Sequence, residues 1–131
     1  MREVFRIINL RCYDLVETTL THEQTVLLFI IYNKKDEVTQ KDIANITGKN
    51  KSTILRLTDA LEEKDLVRRA IDKKDKRRNY LMITNKGQNE LQKRLEIMDE
   101  VFSELKQGIS EKDLQTFNNV VDHFISKAKT L

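Results

Sequence analysis

Residues 39–83 read TQKDIANITGKNKSTILRLTDALEEKDLVRRAIDKKDKRRNYLMI, and the fold is decided here. Thr39-Gln40-Lys41-Asp42 has the form of a helix start, a hydroxyl followed three residues later by a side chain able to reach back. The short helix it opens is expected to carry Ile43, Ala44 and Ile46 inward until Gly48 stops it. Asn50 then caps a second helix of about 51–64, whose inner face is Ile54, Leu57 and Leu61 with Thr58 on its border. Lys51, Ser52, Thr53 and Arg56 are left facing outward. Two β-compatible segments, 66–71 and 79–83, flank Asp72-Lys73-Lys74-Asp75-Lys76-Arg77-Arg78, a wholly charged stretch that reads as a hairpin tip. A short helix, a tight turn, a second helix with a polar leading end and a basic hairpin form, in that order, a helix-turn-helix followed by a wing.

The charge distribution follows the same boundaries. Residues 39–83 hold 12 Lys and Arg against 7 Asp and Glu, whereas residues 1–38 hold 5 against 6 and residues 84–131 hold 7 against 8. A central excess of +5 between two slightly acidic flanks is the footprint of a segment that meets a polyanion. The expected partner is double-stranded DNA, because the major groove admits a helix and displays a base code that hydroxyl, ammonium and guanidinium groups can read. Gln40, Lys49, Lys51, Ser52, Thr53 and Arg56 are the expected contacts from the helix pair. Lys73, Lys74, Lys76, Arg77 and Arg78 are those from the wing, suited to phosphates or a narrow minor groove. Arg77 is the residue expected to insert, with Asp75 orienting its guanidinium.

Outside the winged part the periodicity is helical. Val4, Phe5, Ile8, Cys12, Leu15 and Val16 give a first amphipathic helix of about 2–17. Thr21-His22-Glu23-Gln24 has the capping-box pattern, and the run from Thr25 to Tyr32 is apolar nearly all round, as in a buried helix. Leu91, Leu95, Met98, Phe102 and Leu105 mark a long helix of about 85–107 that Gly108 ends. Ser110 caps a last one carrying Leu114, Phe117, Val121, Phe124, Ala128 and Leu131. So much apolar helix exceeds what a small winged domain covers, which predicts a homodimer with Phe5, Ile8, Phe117, Val121 and Phe124 in its contact. The fold class is therefore mainly α with a small β-wing, a winged helix-turn-helix with N- and C-terminal dimerisation helices.

Composition excludes other classes. The 131 residues include one cysteine, two scattered histidines and three glycines, so no Cys-rich zinc site, nucleophile–base pair or Gly-rich phosphate loop is legible, and neither enzyme, metal nor cofactor is expected. No apolar run approaches a membrane span and no leader pattern opens the chain, so a cytoplasmic protein is expected. Cys12 shares the apolar stripe of Ile8 and Leu15, which favours packing over redox sensing. A winged module that binds protein instead of DNA is the competing expectation. The basic tip opposes it.

Several motifs, in this order, resemble the MarR family of bacterial transcriptional regulators: Leu20-Thr21, the helix pair with Ser52-Thr53-Ile54-Leu55-Arg56-Leu57, the run Leu61 to Arg69, the tip 72–78, and Ile83-Thr84-Asn85-Lys86-Gly87. The resemblance spans roughly the whole chain but is motif-specific only over 50–87. It implies one domain, with a DNA-binding lobe at about 21–87 and interlocking dimerisation helices at about 1–18 and 88–131. It also implies a repressor on a pseudopalindromic operator and, in many members, a small-molecule effector, often aromatic or phenolic. Asp65 departs from the pattern, standing where the family usually has glycine. Lys73 and Lys74 likewise replace a proline-containing turn at the wing.

Overall fold

The structure, a computed structural model, describes residues 2–15, 20–34 and 37–131, the side chains of Phe5 and Tyr13 excepted. The chain divides into two compact units, Met1–Ile97 and Met98–Leu131. The first contains α1 (Arg2–Leu15), α2 (His22–Asn33), β1 (Val38–Thr39), α3 (Gln40–Thr47), α4 (Lys51–Glu63), β2 (Val67–Ile71), β3 (Asn79–Ile83) and the start of α5 (Asn85–Lys106); the second holds the end of α5 and all of α6 (Glu111–Ala128). Val16 and the expected continuation of α1 to residue 17 lie outside the described residues.

Local chemistry accounts for the helix starts. Thr21 accepts from the Gln24 amide at 3.1 Å while the Gln24 side chain accepts from the Thr21 amide at 3.1 Å, so two otherwise orphaned donors of α2 are satisfied. Thr39 and Asp42 repeat the device on α3, and Ser110 accepts from the Asp113 amide on α6. The core of the first unit is Leu20, Leu27, Leu28 and Ile31 from the α2 region, Ile43 of α3, Ile54, Leu57 and Leu61 of α4, Val38, Leu66, Val67 and Leu81 of the sheet region, and Leu91 of α5.

Three expectations about burial are corrected. Thr58 lies in the core rather than on its border, which it tolerates because its hydroxyl donates to the Ile54 carbonyl at 2.8 Å. Ile46 is half exposed, since α3 is short and only Ile43 is buried there. Phe29 and Tyr32 of α2 are also exposed, so that helix is buried on one side instead of all round. The wing acquires a third strand: β1 pairs with β3 through Val38↔Leu81 and Thr39↔Tyr80, giving an antiparallel sheet of order β1-β3-β2. A two-residue strand carries no periodicity by which a sequence could announce it.

Asp65 takes a left-handed φ of 57° at the end of α4. There the Leu66 amide donates to the Leu61 carbonyl at 2.9 Å and the Asp65 amide to that of Glu62 at 2.9 Å, as in a glycine-type helix stop. Aspartate tolerates this region; a β-branched residue does not. Asp65→Val is expected to lower stability by about 1–2 kcal/mol while Asp65→Gly lowers it not at all. Urea midpoints measured side by side would show this, and equal midpoints for the two variants would refute it.

In the second unit no residue of α6 is buried; Leu114 and Val121 are partly covered, whereas Phe117 and Phe124 are 61% and 63% exposed. In the first unit Ile8 is half-buried and Cys12 fully buried, while Val4, Ile7 and Leu10 of α1 are exposed. Among the described residues no helix is long and apolar enough to cross a membrane.

Candidate nucleic-acid interface

The turn between α3 and α4 is built from three residues. Gly48 adopts φ 68° and donates its amide to Ala44, closing α3. Asn50 opens α4, its Oδ1 accepting from the Thr53 amide at 2.8 Å and from the Ser52 hydroxyl at 2.9 Å. Ser52 thus donates inward and keeps its lone pairs for an incoming donor. Lys51, Ser52 and Arg56 are exposed and Thr53 is half-buried, so three of the four residues assigned to the leading part of α4 stand fully at the surface. Lys49, in the turn, and Arg56 both approach Glu23 of α2, a residue the sequence reading left out of the site.

The wing tip is ordered by its own acids. Asp72 Oδ1 accepts from the Lys74 amide at 2.8 Å, and its Oδ2 accepts from the Tyr80 hydroxyl at 2.8 Å. Those bonds, led by the one from the Lys74 amide, hold the Asp72 carboxyl below the ordinary aspartate range, and the carboxylate in turn pushes the Tyr80 phenol up. Asp75 Oδ1 accepts from the Arg77 amide at 3.0 Å and lies 3.4 Å from Arg77 Nε. The two carboxylates are therefore half-buried and turned toward backbone donors, while Lys73, Lys74, Lys76, Arg77 and Arg78 are all exposed. A sequence of mixed sign becomes a surface on which the cations stand out further than the acids.

Gln40, half-buried at the first position of α3, lines a recess of about 510 Å³ with Thr39, Lys41, Arg77, Arg78 and Asn79. The start of the helix pair and the base of the wing thus meet around one hollow. Asp42 anchors that side: the Thr39 amide and hydroxyl hold its carboxyl below the usual range. A larger, half-open cleft of about 1050 Å³ has Tyr32, Lys34, Ile71, Tyr80 and Met82 among its walls.

Arg69 of β2, quoted in a sequence motif but assigned no role there, forks between Asp59 and Glu62 of α4, bonding Glu62 Oε2 at 2.6 Å. A planar guanidinium bound by two carboxylates ties the first wing strand to the second helix of the pair and fixes their relative angle. Asp59 and Glu62, three residues apart on one helix face, were the available signal.

A helix pair whose second member presents its polar leading end, followed by a braced basic hairpin, defines a winged helix-turn-helix DNA-binding protein. The family model for the MarR family matches residues 20–78 of the chain. The Staphylococcus aureus MepR–DNA complex is 26% identical with a TM-score of 0.79, the alignment covering 96% of this chain and 96% of that one. MepR, a transcription regulator of the Staphylococcus aureus multidrug efflux pump MepA, shares the fold at 24% identity and a TM-score of 0.77 over 97% of this chain and 94% of that one. The PcaV transcriptional regulator from Streptomyces coelicolor, in complex with its natural ligand, shares it at 17% identity and a TM-score of 0.78 over 97% and 89%. The chain thus matches the MarR family over residues 20–78 and shares the fold of its transcription regulators along nearly its whole length, which makes it a DNA-binding transcription regulator rather than an enzyme.

Proposed function

We propose that the chain is a sequence-specific repressor that binds a pseudopalindromic operator as a homodimer in the cytoplasm. In this reading α4 enters the major groove with Lys51, Ser52, Thr53 and Arg56 leading, and Gln40 and Lys49 contact the adjoining backbone. The tip residues Lys73, Lys74, Lys76, Arg77 and Arg78 grip the flanking minor groove, with Asp75 orienting Arg77. The observation that carries it is the sorting of charge at the tip, where the acids are bound to backbone amides and every cation points to solvent. Five exposed cations in one hairpin suit the continuous row of phosphates of a duplex, the polyanion a winged helix is shaped to meet.

Support for the homodimer is the exposed apolar residues Val4, Ile7 and Leu10 on α1 and Phe117 and Phe124 on α6. Phe117, Phe124 and the half-buried Ile8 and Val121 remain the proposed contacts; the Phe5 side chain lies outside the described residues. The dimerisation helices at about 1–18 and 88–131, flanking a lobe at about 21–87, belong to the same proposal. The cleft beside Tyr32 and Met82 offers an apolar floor for a small organic effector, the kind of regulation the family resemblance implies.

The test is a titration of the purified chain against a pool of random duplexes at two salt concentrations, with its mass in solution measured in parallel. Enrichment of a near-palindromic site, affinity falling steeply with salt and a mass of two chains are the expected results. A chain that retains no duplex even at low salt refutes the proposal.

A further inference from the structure

Lys49 and Arg56, two cations assigned to the DNA, converge on a single carboxylate. Lys49 Nζ lies 3.3 Å from Glu23 Oε1, and Arg56 Nη2 lies 3.8 Å from Glu23 Oε2. Glu23 sits in the first turn of α2, where the capping box of Thr21 and Gln24 fixes the backbone and the positive end of the helix favours a carboxylate. All three side chains are more than a third exposed, and such pairs contribute little to folding. Stability is therefore a weak reason for an acid between two DNA-facing cations. Its effect on an approaching phosphate is stronger, because that phosphate must compete with Glu23 for the same donors.

We propose that Glu23 is a specificity-determining residue, an internal competitor that holds Lys49 and Arg56 back from the backbone of an arbitrary duplex. The inference rests on the DNA-binding reading above. On a random sequence the only attraction offered to these cations is phosphate, which Glu23 partly cancels. On the operator, Arg56 gains a base edge, and a bidentate arginine–guanine contact discriminates by roughly ten- to a hundredfold, enough to offset the lost pairing. The carboxylate thus lowers affinity everywhere but lowers it least at the correct site. It raises the ratio between the two.

Native chain, Glu23→Gln, Lys49→Ala and the double variant would be titrated across salt against a random-sequence duplex and against the duplex the native chain selects from a random pool. Glutamine retains the shape and a hydrogen-bonding oxygen while removing the charge. Glu23→Gln is expected to bind the random duplex about three- to tenfold tighter, with a salt slope steeper by about one. The selected duplex gains less, so the specificity ratio falls, and adding Lys49→Ala returns the slope to the native value. Unchanged melting separates this from a folding effect. If the native chain selects a site yet Glu23→Gln leaves slope and ratio as they were, or raises the ratio, the role of Glu23 is refuted alone. If the native chain binds neither duplex, the DNA-binding reading falls with it.

Discussion

Replacing Gly87 with alanine is expected to cost about 3 kcal/mol of folding stability, near the upper end of overpacking effects. A Cβ built there would lie 2.2 Å from the Leu66 carbonyl oxygen and 2.8 Å from Ile83 Cγ1. The side chain of Ile83 can turn aside, but the carbonyl cannot. Leu66 O accepts from the Thr84 amide at 3.1 Å, and the neighbouring Asp65 carbonyl accepts from the Thr84 hydroxyl at 2.6 Å. Thr84 in turn caps α5 by accepting from the Gly87 amide at 3.0 Å, so the end of α4 and the start of α5 are locked in one small network. Relief of the clash would pull that network apart. Urea denaturation is the measurement, and a midpoint for Gly87→Ala within error of the native value would show that the approach is looser than described.

Arg77→Ala is expected to weaken binding to the selected duplex by about 1–3 kcal/mol, on the order of ten- to a hundredfold, without changing the melting temperature. Its side chain is 92% exposed, so the folded chain alone loses almost nothing. The loss is expected to be largest on duplexes with A·T-rich flanks, where a narrow minor groove concentrates negative potential. Lysine at the same position separates two mechanisms. A purely coulombic contact with phosphate would be rescued by Arg77→Lys, whereas an inserted guanidinium, oriented by Asp75 at 3.4 Å, would be rescued poorly. Native-like affinity in Arg77→Ala, measured by titration at moderate salt, would remove Arg77 from the interface.

The two variants divide the molecule as the sequence motifs do. Gly87 closes the segment that resembles the family and serves its geometry. Arg77 lies in the same segment and is proposed to serve its function. Stability and DNA affinity should therefore respond separately, the first to Gly87 and Asp65, the second to Arg77 and Glu23.

Features that depend on neighbours within a turn are readable from the order of the amino acids. Thr21 with Gln24, Thr39 with Asp42, Asn50 with Thr53 and Ser110 with Asp113 are capping contacts three residues apart, and each was legible because the chain must satisfy its first helical amides locally. The periodic apolar residues Ile54, Leu57 and Leu61 and the all-charged tip were legible for the same reason. Tertiary structure alone decided the pairing of Val38 with Leu81, the burial of Thr58 and the exposure of Ile46, because a helix has several faces and only packing selects the one that leaves water. It also decided that Glu23 and Lys49, 26 residues apart, share a salt bridge, and that Arg69 clamps Asp59 and Glu62. Charges attract whatever their place in the chain; spacing put Asp59 and Glu62 on one helix face, but which cation reaches them is fixed by the folded backbone.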